Sequence, residues 1–290
     1  MKQLLIATLV LAALPFAASA QDANATPPAA DQNTNAAQNG GWTGSGEFGF
    51  ASARGNSRSE NANAKLGLSQ ENEVWKNNFF LNGLRSKGEV SVQDGEGNTV
   101  NKFSTTANRY DTGASVGYKF DPRSYVVTAA RYEHDDFGAN TWQGILSVGY
   151  GYIALKNERA ELSFEIGPGF KRYQPAKSTR DITNPDGTPA LGPNGSPLTE
   201  RYTPNAESEV VGRGLVNGKY RLTANTALED TLLIEAGSKN QYYQNDIGIS
   251  VSMTKKMALK VGYQIRYNSD TQPGTVSTDK LTTTNLVYNF

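Results

Sequence analysis

The chain has 290 residues, with 28 Lys and Arg against 28 Asp and Glu, a single His and no Cys, and a mean hydropathy of −0.54. The balanced charge provides no field to gather nucleic acid, and without cysteine there are no disulfides. After residue 20 no stretch approaches the roughly 18 apolar residues of a membrane helix. A polar average still suits a membrane β-barrel, because alternate strand residues face water.

Lys2 is followed by the apolar run Leu4–Leu14, then Pro15 and Ala18-Ser19-Ala20. A short basic start, an apolar run too short to span a bilayer and a small-x-small site mark a cleaved secretory signal over 1–20. The cleavage site carries Ala18 and Ala20, and no Cys follows it, which excludes a lipoprotein signal. Residues 21–40 are Ala, Asn, Gln and Pro without periodicity, and read as a disordered linker. Residues 41–290 read as one domain of twelve strands, at about 42–52, 58–70, 74–86, 103–120, 124–135, 140–154, 160–173, 206–222, 227–238, 241–254, 257–268 and 280–290. No segment carries a sustained 3.6-residue apolar pattern, so helix is minor.

The connections sort by length. Glu71-Asn72-Glu73, Asp121-Pro122-Arg123, Asn157-Glu158-Arg159, Ala224-Asn225-Thr226 and Thr254-Lys255-Lys256 are tight turns. They alternate with 53–57, 87–102, 136–139, 174–205, 239–240 and 269–279, three of which are long. Outer-membrane barrels have short periplasmic turns and longer extracellular loops. The Pro-rich segment 174–205 holds Asp186-Gly187 and Asn194-Gly195 turn signals, and either projects from the barrel or folds over its mouth.

The strand faces sort as well, since side chains alternate with period two. Ile247, Ile249 and Val251 oppose Asp246, Gly248 and Ser250; Leu259, Val261 and Tyr263 oppose Lys260, Gly262 and Gln264. A membrane barrel turns the apolar set outward, and a soluble barrel turns it inward. Tyr and Trp fall near strand ends, as aromatic girdles require. Gly167-Pro168-Gly169 interrupts one strand, where a bulge would accommodate a proline that cannot donate to the ladder. The final strand sets Leu286, Tyr288 and Phe290 on one face, the pattern of a C-terminal assembly signal.

Trp42-Thr43-Gly44-Ser45-Gly46-Glu47-Phe48-Gly49-Phe50, Arg54-Gly55-Asn56-Ser57, Ala64-Lys65-Leu66-Gly67-Leu68, Gly149-Tyr150-Gly151-Tyr152 and Ile166-Gly167-Pro168-Gly169-Phe170 resemble a known family. It is the domain-of-unknown-function family of bacterial outer-membrane proteins often called salt-induced outer membrane proteins. The resemblance covers roughly 42–290. It implies an outer-membrane β-barrel in a Gram-negative bacterium, and supplies no reaction, ligand or catalytic residue to carry over. The 174–205 loop is longer than the family leads one to expect.

Three local patterns each match a functional motif only in part. Gly44-Ser45-Gly46-Glu47-Phe48-Gly49 fits a dinucleotide fingerprint but lacks the preceding strand and following helix. Asp94-Gly95-Glu96-Gly97-Asn98 resembles a calcium loop but lacks the closing Glu. His134, the one histidine, has Tyr110 and Asn140 as expected neighbours, and neither is a serine nucleophile. No metal or cofactor is expected, and no catalytic residue is assigned.

The inward face is the candidate site. Glu47, Lys65, Arg109, Asp111, Arg131, Glu133, Glu161, Glu165, Lys171, Glu209, Arg213, Lys219, Glu235, Asp246, Lys260 and Arg266 share the polar parity. They either line a narrow water-filled path or form an ion-pair network that plugs it. The reading is an all-β, closed antiparallel transmembrane barrel of about twelve strands in the outer membrane. Its role is passive, as a small low-conductance pore or a structural envelope protein. The expected partners are outer-membrane lipid and lipopolysaccharide, periplasmic chaperones and the barrel-assembly machinery, with no nucleic acid. Rival readings are an outer-membrane enzyme acting on lipid or lipopolysaccharide, and a soluble periplasmic β-barrel binding a small apolar ligand.

Overall fold

The computed structural model describes residues 40–54, 58–95, 98–271 and 276–290. The signal and linker assignments over 1–39, with Ala18 and Ala20, lie outside the described residues. The first half of the barrel comprises β1 (Trp42–Ala53), β2 (Ser59–Glu71), β3 (Trp75–Gln93), β4 (Thr99–Lys119), β5 (Ser124–Asp135), β6 (Asn140–Lys156) and β7 (Ala160–Pro175). β8 (Ser178–Asp181) and β9 (Thr199–Tyr202) pair only with each other. The barrel resumes with β10 (Glu207–Arg221), β11 (Thr226–Gly237), β12 (Gln241–Ser252), β13 (Met257–Asn268) and β14 (Thr278–Asn289). Each barrel strand pairs antiparallel with its chain neighbours, β7 pairs β10, and β14 closes onto β1.

Turn chemistry explains the tight end. Asn72 Oδ1 accepts the amides of Val74 and Trp75, at 2.8 and 2.6 Å. Asp121 Oδ1 takes those of Arg123 and Ser124, Asn157 Oδ1 those of Arg159 and Ala160, and Thr254 Oγ1 those of Lys256 and Met257. A short polar side chain thus stands in for a backbone carbonyl at four of the five turns. The two amides hold the Asp121 carboxyl below the usual carboxylate range.

The apolar face points out. Ile249 is 46% and Val261 50% exposed, and Leu146, Val148 and Ile166 are likewise exposed. Burying apolar surface drives folding in water, so this arrangement suits a lipid surround and contradicts a soluble barrel with an apolar interior. Outward aromatics cluster at both rims. Trp75 packs edge-on against Tyr118, with ring centroids 5.6 Å apart, at the turn end. Tyr243 packs on Tyr267 at 5.8 Å near the loop end. Leu286 and Tyr288 face outward on β14, and exposed Phe290, directly after it, stacks on Tyr288.

Three segments differ from the sequence reading. Most of 87–102 is not loop: β3 and β4 stay paired from Lys87↔Thr105 to Gln93↔Thr99, beyond the barrel wall. Past the last β2 pair at Gly88 the extension is largely exposed on both faces, so it lacks the apolar–polar contrast that marks a barrel strand. Asp94 Oδ1 accepts the Asn98 amide at its tip, the bonding of a tight turn. The 174–205 segment folds as its own small sheet. β8 and β9 carry two further turns, in which Gly187 and Gly195 adopt φ of 83° and 74°, a region that glycine enters without strain. Pro168 needs no bulge. The β6–β7 register is the same at Ser147↔Gly169 and Tyr150↔Ile166, and the shifts lie at Asn140/Trp142 and Ile153/Leu155. Val148 and Gly149 have no ladder partners on β7, and a Cβ on Gly149 would sit 2.6 Å from the Ile166 carbonyl oxygen. Glycine here lets two backbones approach where the ladder is interrupted.

Candidate functional site in the barrel lumen

The inward parity brings the sixteen predicted lumen residues to one interior, where they form two layers. The layer nearer the loops is densely paired and buried. Glu235, fully buried, accepts three hydrogen bonds from Arg131 across the lumen: Nε to Oε1 at 3.0 Å, Nη2 to Oε1 at 2.7 Å and Nη2 to Oε2 at 2.8 Å. Lys171 Nζ lies 3.8 Å from the second carboxylate oxygen. Arg131 also donates to Glu133 at 2.8 Å. Arg266 crosses from β13 to β5, pairing with Glu133 and, at 3.2 Å, with Asp135. Its Nε donates to the Tyr242 hydroxyl at 2.9 Å. The Tyr242 ring faces all three cations, with Arg131, Arg266 and Lys171 5.1, 5.4 and 5.8 Å from its centroid. Glu209 lies beside this group and accepts the Lys239 amide.

Bonds from β5 to β11 and β13 join strands on opposite walls. The side chains that make them are almost fully buried, which packs this half of the lumen with paired charge. Burying so many charges costs desolvation that pairing offsets; the bidentate Arg131–Glu235 geometry is the strong form of such a pair, while Glu209 Oε1 is buried without a hydrogen-bond partner among the described residues.

The layer nearer the turns is open. A cavity of about 670 Å³ is lined by Glu47, Lys65, Arg109, Asp111, Arg131, Glu161, Glu165, Arg213, Lys219, Asp246 and Lys260 among others. Glu133, Lys171, Glu209, Glu235 and Arg266 do not line it. A second cavity of about 490 Å³ shares Ser69, Glu71, Glu161, Lys219 and Glu229 with the first and is bounded by the Lys156–Ala160 turn. The lumen therefore opens at the end that carries the tight turns.

Pairing is looser in this layer. Lys260 donates to Glu47 and Glu229, each at 2.9 Å; Arg213 pairs with Glu165 at 3.1 Å; Lys65 lies 4.0 Å from Asp246. Lys219 pairs with Glu229, Arg109 donates to Gln264, and Asn82 donates to Asp111.

Sequence reasoning missed several members. Tyr242 shares parity with Gln244 and Asp246, and an aromatic on a polar inward face is the signal that marks it. Tyr125, also inward and fully buried, donates to Glu165 at 3.1 Å. Gly151 makes room for its ring: a Cβ there would overlap it. Glu71 gathers Lys76, Lys119 and Lys156 at 3.1, 2.8 and 2.9 Å. His134 stacks on Tyr110 as expected, with centroids 5.1 Å apart, but its β6 partner is Trp142 rather than Asn140. Its Nε2 bonds Asp136 at 2.9 Å, and no hydroxyl nucleophile bonds it among the described residues.

The chain is 23% identical to the uncharacterised protein YdiY of Escherichia coli K12 over 196 residues, 67% of this chain and 66% of that protein, slightly under two thirds of its length. Among solved structures it resembles in fold the translocator domain of the autotransporter NalP from Neisseria meningitidis, at 10% identity and TM-score 0.44, covering 86% of this chain and 87% of that one. It also resembles an outer membrane channel from Pseudomonas putida F1, at 12% identity and TM-score 0.42, covering 86% and 94%. The family model described as "Protein of unknown function, DUF481" matches residues 46–290, and the chain belongs to that family.

Proposed function

We propose that the protein is an outer-membrane β-barrel of a Gram-negative bacterium, exported with a cleaved signal peptide, whose role is passive and structural. One observation carries the reading: Arg131–Glu235 and Arg266–Glu133 bridge opposite walls with almost fully buried side chains in the loop-side half of the lumen, which supports a plugged barrel. The outward apolar belt between two aromatic rims supports contact with lipid and lipopolysaccharide. Leu286, Tyr288 and Phe290 lie outward on the closing strand, a place open to assembly machinery and chaperones. A lipid hydrolase would need a nucleophile beside His134, whose imidazole is taken up by Asp136 and Tyr110.

The second reading is a small pore gated by the same plug, favoured by the cavity open at the turn end. Planar-bilayer conductance separates the two. The structural reading expects a silent barrel at all voltages that leave the bilayer intact. Steady conductance from the unmodified protein would overturn it in favour of the pore.

A further inference from the structure

The barrel closes over an unusually short ladder. β1 pairs with β2 along its whole length, from Trp42↔Gln70 to Ala53↔Ser59, and β13 pairs with β14 from Tyr267↔Thr278 to Met257↔Tyr288. Between β1 and β14 the register holds only from Ser45↔Asn289 to Phe48↔Leu286, extended by reciprocal bonds between Gly44 and Phe290. From Gly49 to Ala53 on β1, and from Thr278 to Asn285 on β14, neither strand is paired to the other. Two facing strand edges without a ladder are costly inside a bilayer, so such a seam invites a functional explanation.

Side chains hold the seam where the ladder stops. Asn285 of β14 is 1% exposed. Its Oδ1 accepts from Asn63 of β2 at 2.9 Å, and its Nδ2 donates to Glu47 of β1 at 3.0 Å. Lys260 of β13 donates to the other Glu47 oxygen. Gly49 leaves the space that this clasp occupies, since a Cβ there would overlap the Asn285 amide oxygen. The clasp lies on the lumen cavity, which Glu47, Asn63 and Lys65 line on one side of the seam and Leu281 and Thr283 on the other.

We infer that the β1–β14 seam is a latched side opening through which the lumen cavity binds a zwitterionic, single-chain phospholipid from the membrane. This rests on the reading of a membrane barrel shut on its loop side. The cavity chemistry selects the ligand class. Most charges that line it pair with one another, but Arg109 and Asp111 bond the neutral side chains of Gln264 and Asn82, which suits a headgroup carrying one charge of each sign. Leu281 on β14 gives the cavity an apolar position at the seam itself, and the paired Leu215 and Leu233 give it an apolar patch on β10 and β11, for the start of a chain. At about 670 Å³ the cavity falls within the size range of small-molecule sites. It takes the headgroup and glycerol, and the acyl chain leaves through the unpaired part of the seam.

The experiment uses the full mature chain in vesicles of phosphatidylethanolamine and phosphatidylglycerol, doped with lysophosphatidylcholine bearing a photoreactive diazirine near the glycerol. Adducts are mapped by mass spectrometry. Inward adducts at Leu281 and Leu233 are expected from the unmodified protein. Phe50 and Thr284 would pair if the ladder continued, and the chain has no native Cys. Phe50→Cys with Thr284→Cys, bridged by a bismaleimide, should lose the inward adducts; the unbridged double variant should keep them, which controls for folding. Asn285→Ala should raise their rate of appearance.

Adducts confined to outward residues such as Val261 and Leu286, or inward adducts that persist after bridging, would overturn the inference. Equal inward labelling by a lysophosphatidylglycerol analogue would overturn the choice of a zwitterion. If bilayers show an open pore while bridging still abolishes inward adducts, the structural role fails and the side opening stands. A silent barrel without inward adducts reverses that outcome.

Discussion

Replacing Glu235 with Gln tests whether the plug is held by charge. The carboxylate is fully buried and accepts three bonds from Arg131, with Lys171 3.8 Å away. The amide preserves the shape, cancels the charge and turns an N–H towards the guanidinium. Arg131 then keeps only Glu133, and Lys171, 1% exposed, keeps the Asn240 amide oxygen. Removing one partner of a buried pair costs about 3–5 kcal/mol, because the remaining charge stays desolvated. The exposed pair Lys239–Glu207, with side chains 52% and 41% exposed, supplies the comparison; Lys239→Met should cost far less than Glu235→Gln, since solvent screens an exposed pair. Both are read from urea unfolding in lipid vesicles at fixed pH, with the slope checked for constancy. Arg131→Met combined with Glu235→Leu should recover part of the loss, since an apolar pair carries no desolvation penalty. A Glu235→Gln cost no larger than that of Lys239→Met would refute the account of the plug as a charge-paired core.

Other consequences follow from the same geometry. Arg at Ile249 or Val261 should cost roughly 2–4 kcal/mol if these sites sit near the bilayer midplane, whereas Arg at inward Ser250 should cost less; the reverse order in vesicle unfolding would mean the faces are inverted. Gly151→Ala should destabilise by about 1–3 kcal/mol through overpacking against the Tyr125 ring, and a neutral result would show that the ring is free to move. Deleting 178–202 removes a sheet that pairs only with itself, so the unfolding midpoint and the absence of conductance should both survive. Conductance appearing on that deletion alone would make the segment a lid.

The barrel strands were legible because local chemistry repeats. Ile249 against Ser250 and Val261 against Gly262 mark two faces without reference to any other strand. Asn72, Asp121, Asn157 and Thr254 mark the turns by what their side chains can accept. The paired extension of β3 and β4 was not legible, since Glu89–Gln93 and Thr99–Phe103 meet water on both faces. Parity placed Arg131, Glu133, Glu235 and Arg266 inside, yet could not say which would meet. That choice depends on tilt and shear accumulated around the whole barrel. It decides that Arg266 of β13 reaches Glu133 and Asp135 on β5. The short β1–β14 seam is hidden for the same reason, because it depends on where the two ends of the chain meet after eleven other pairings.

Orientation and closure together form the central claim, and side-resolved cysteine labelling in cells tests them most directly. The absence of native Cys gives each introduced thiol an unambiguous signal. Glu89→Cys lies on the β3–β4 extension, Asn157→Cys in a tight turn, and Ser69→Cys on the wall shared by both cavities. The account predicts that an impermeant maleimide, too large for general porins, labels only Glu89→Cys in intact cells. Breaking the outer membrane should then expose Asn157→Cys and, to a small maleimide, Ser69→Cys. Labelling of Asn157→Cys in intact cells while Glu89→Cys stays protected would contradict the account.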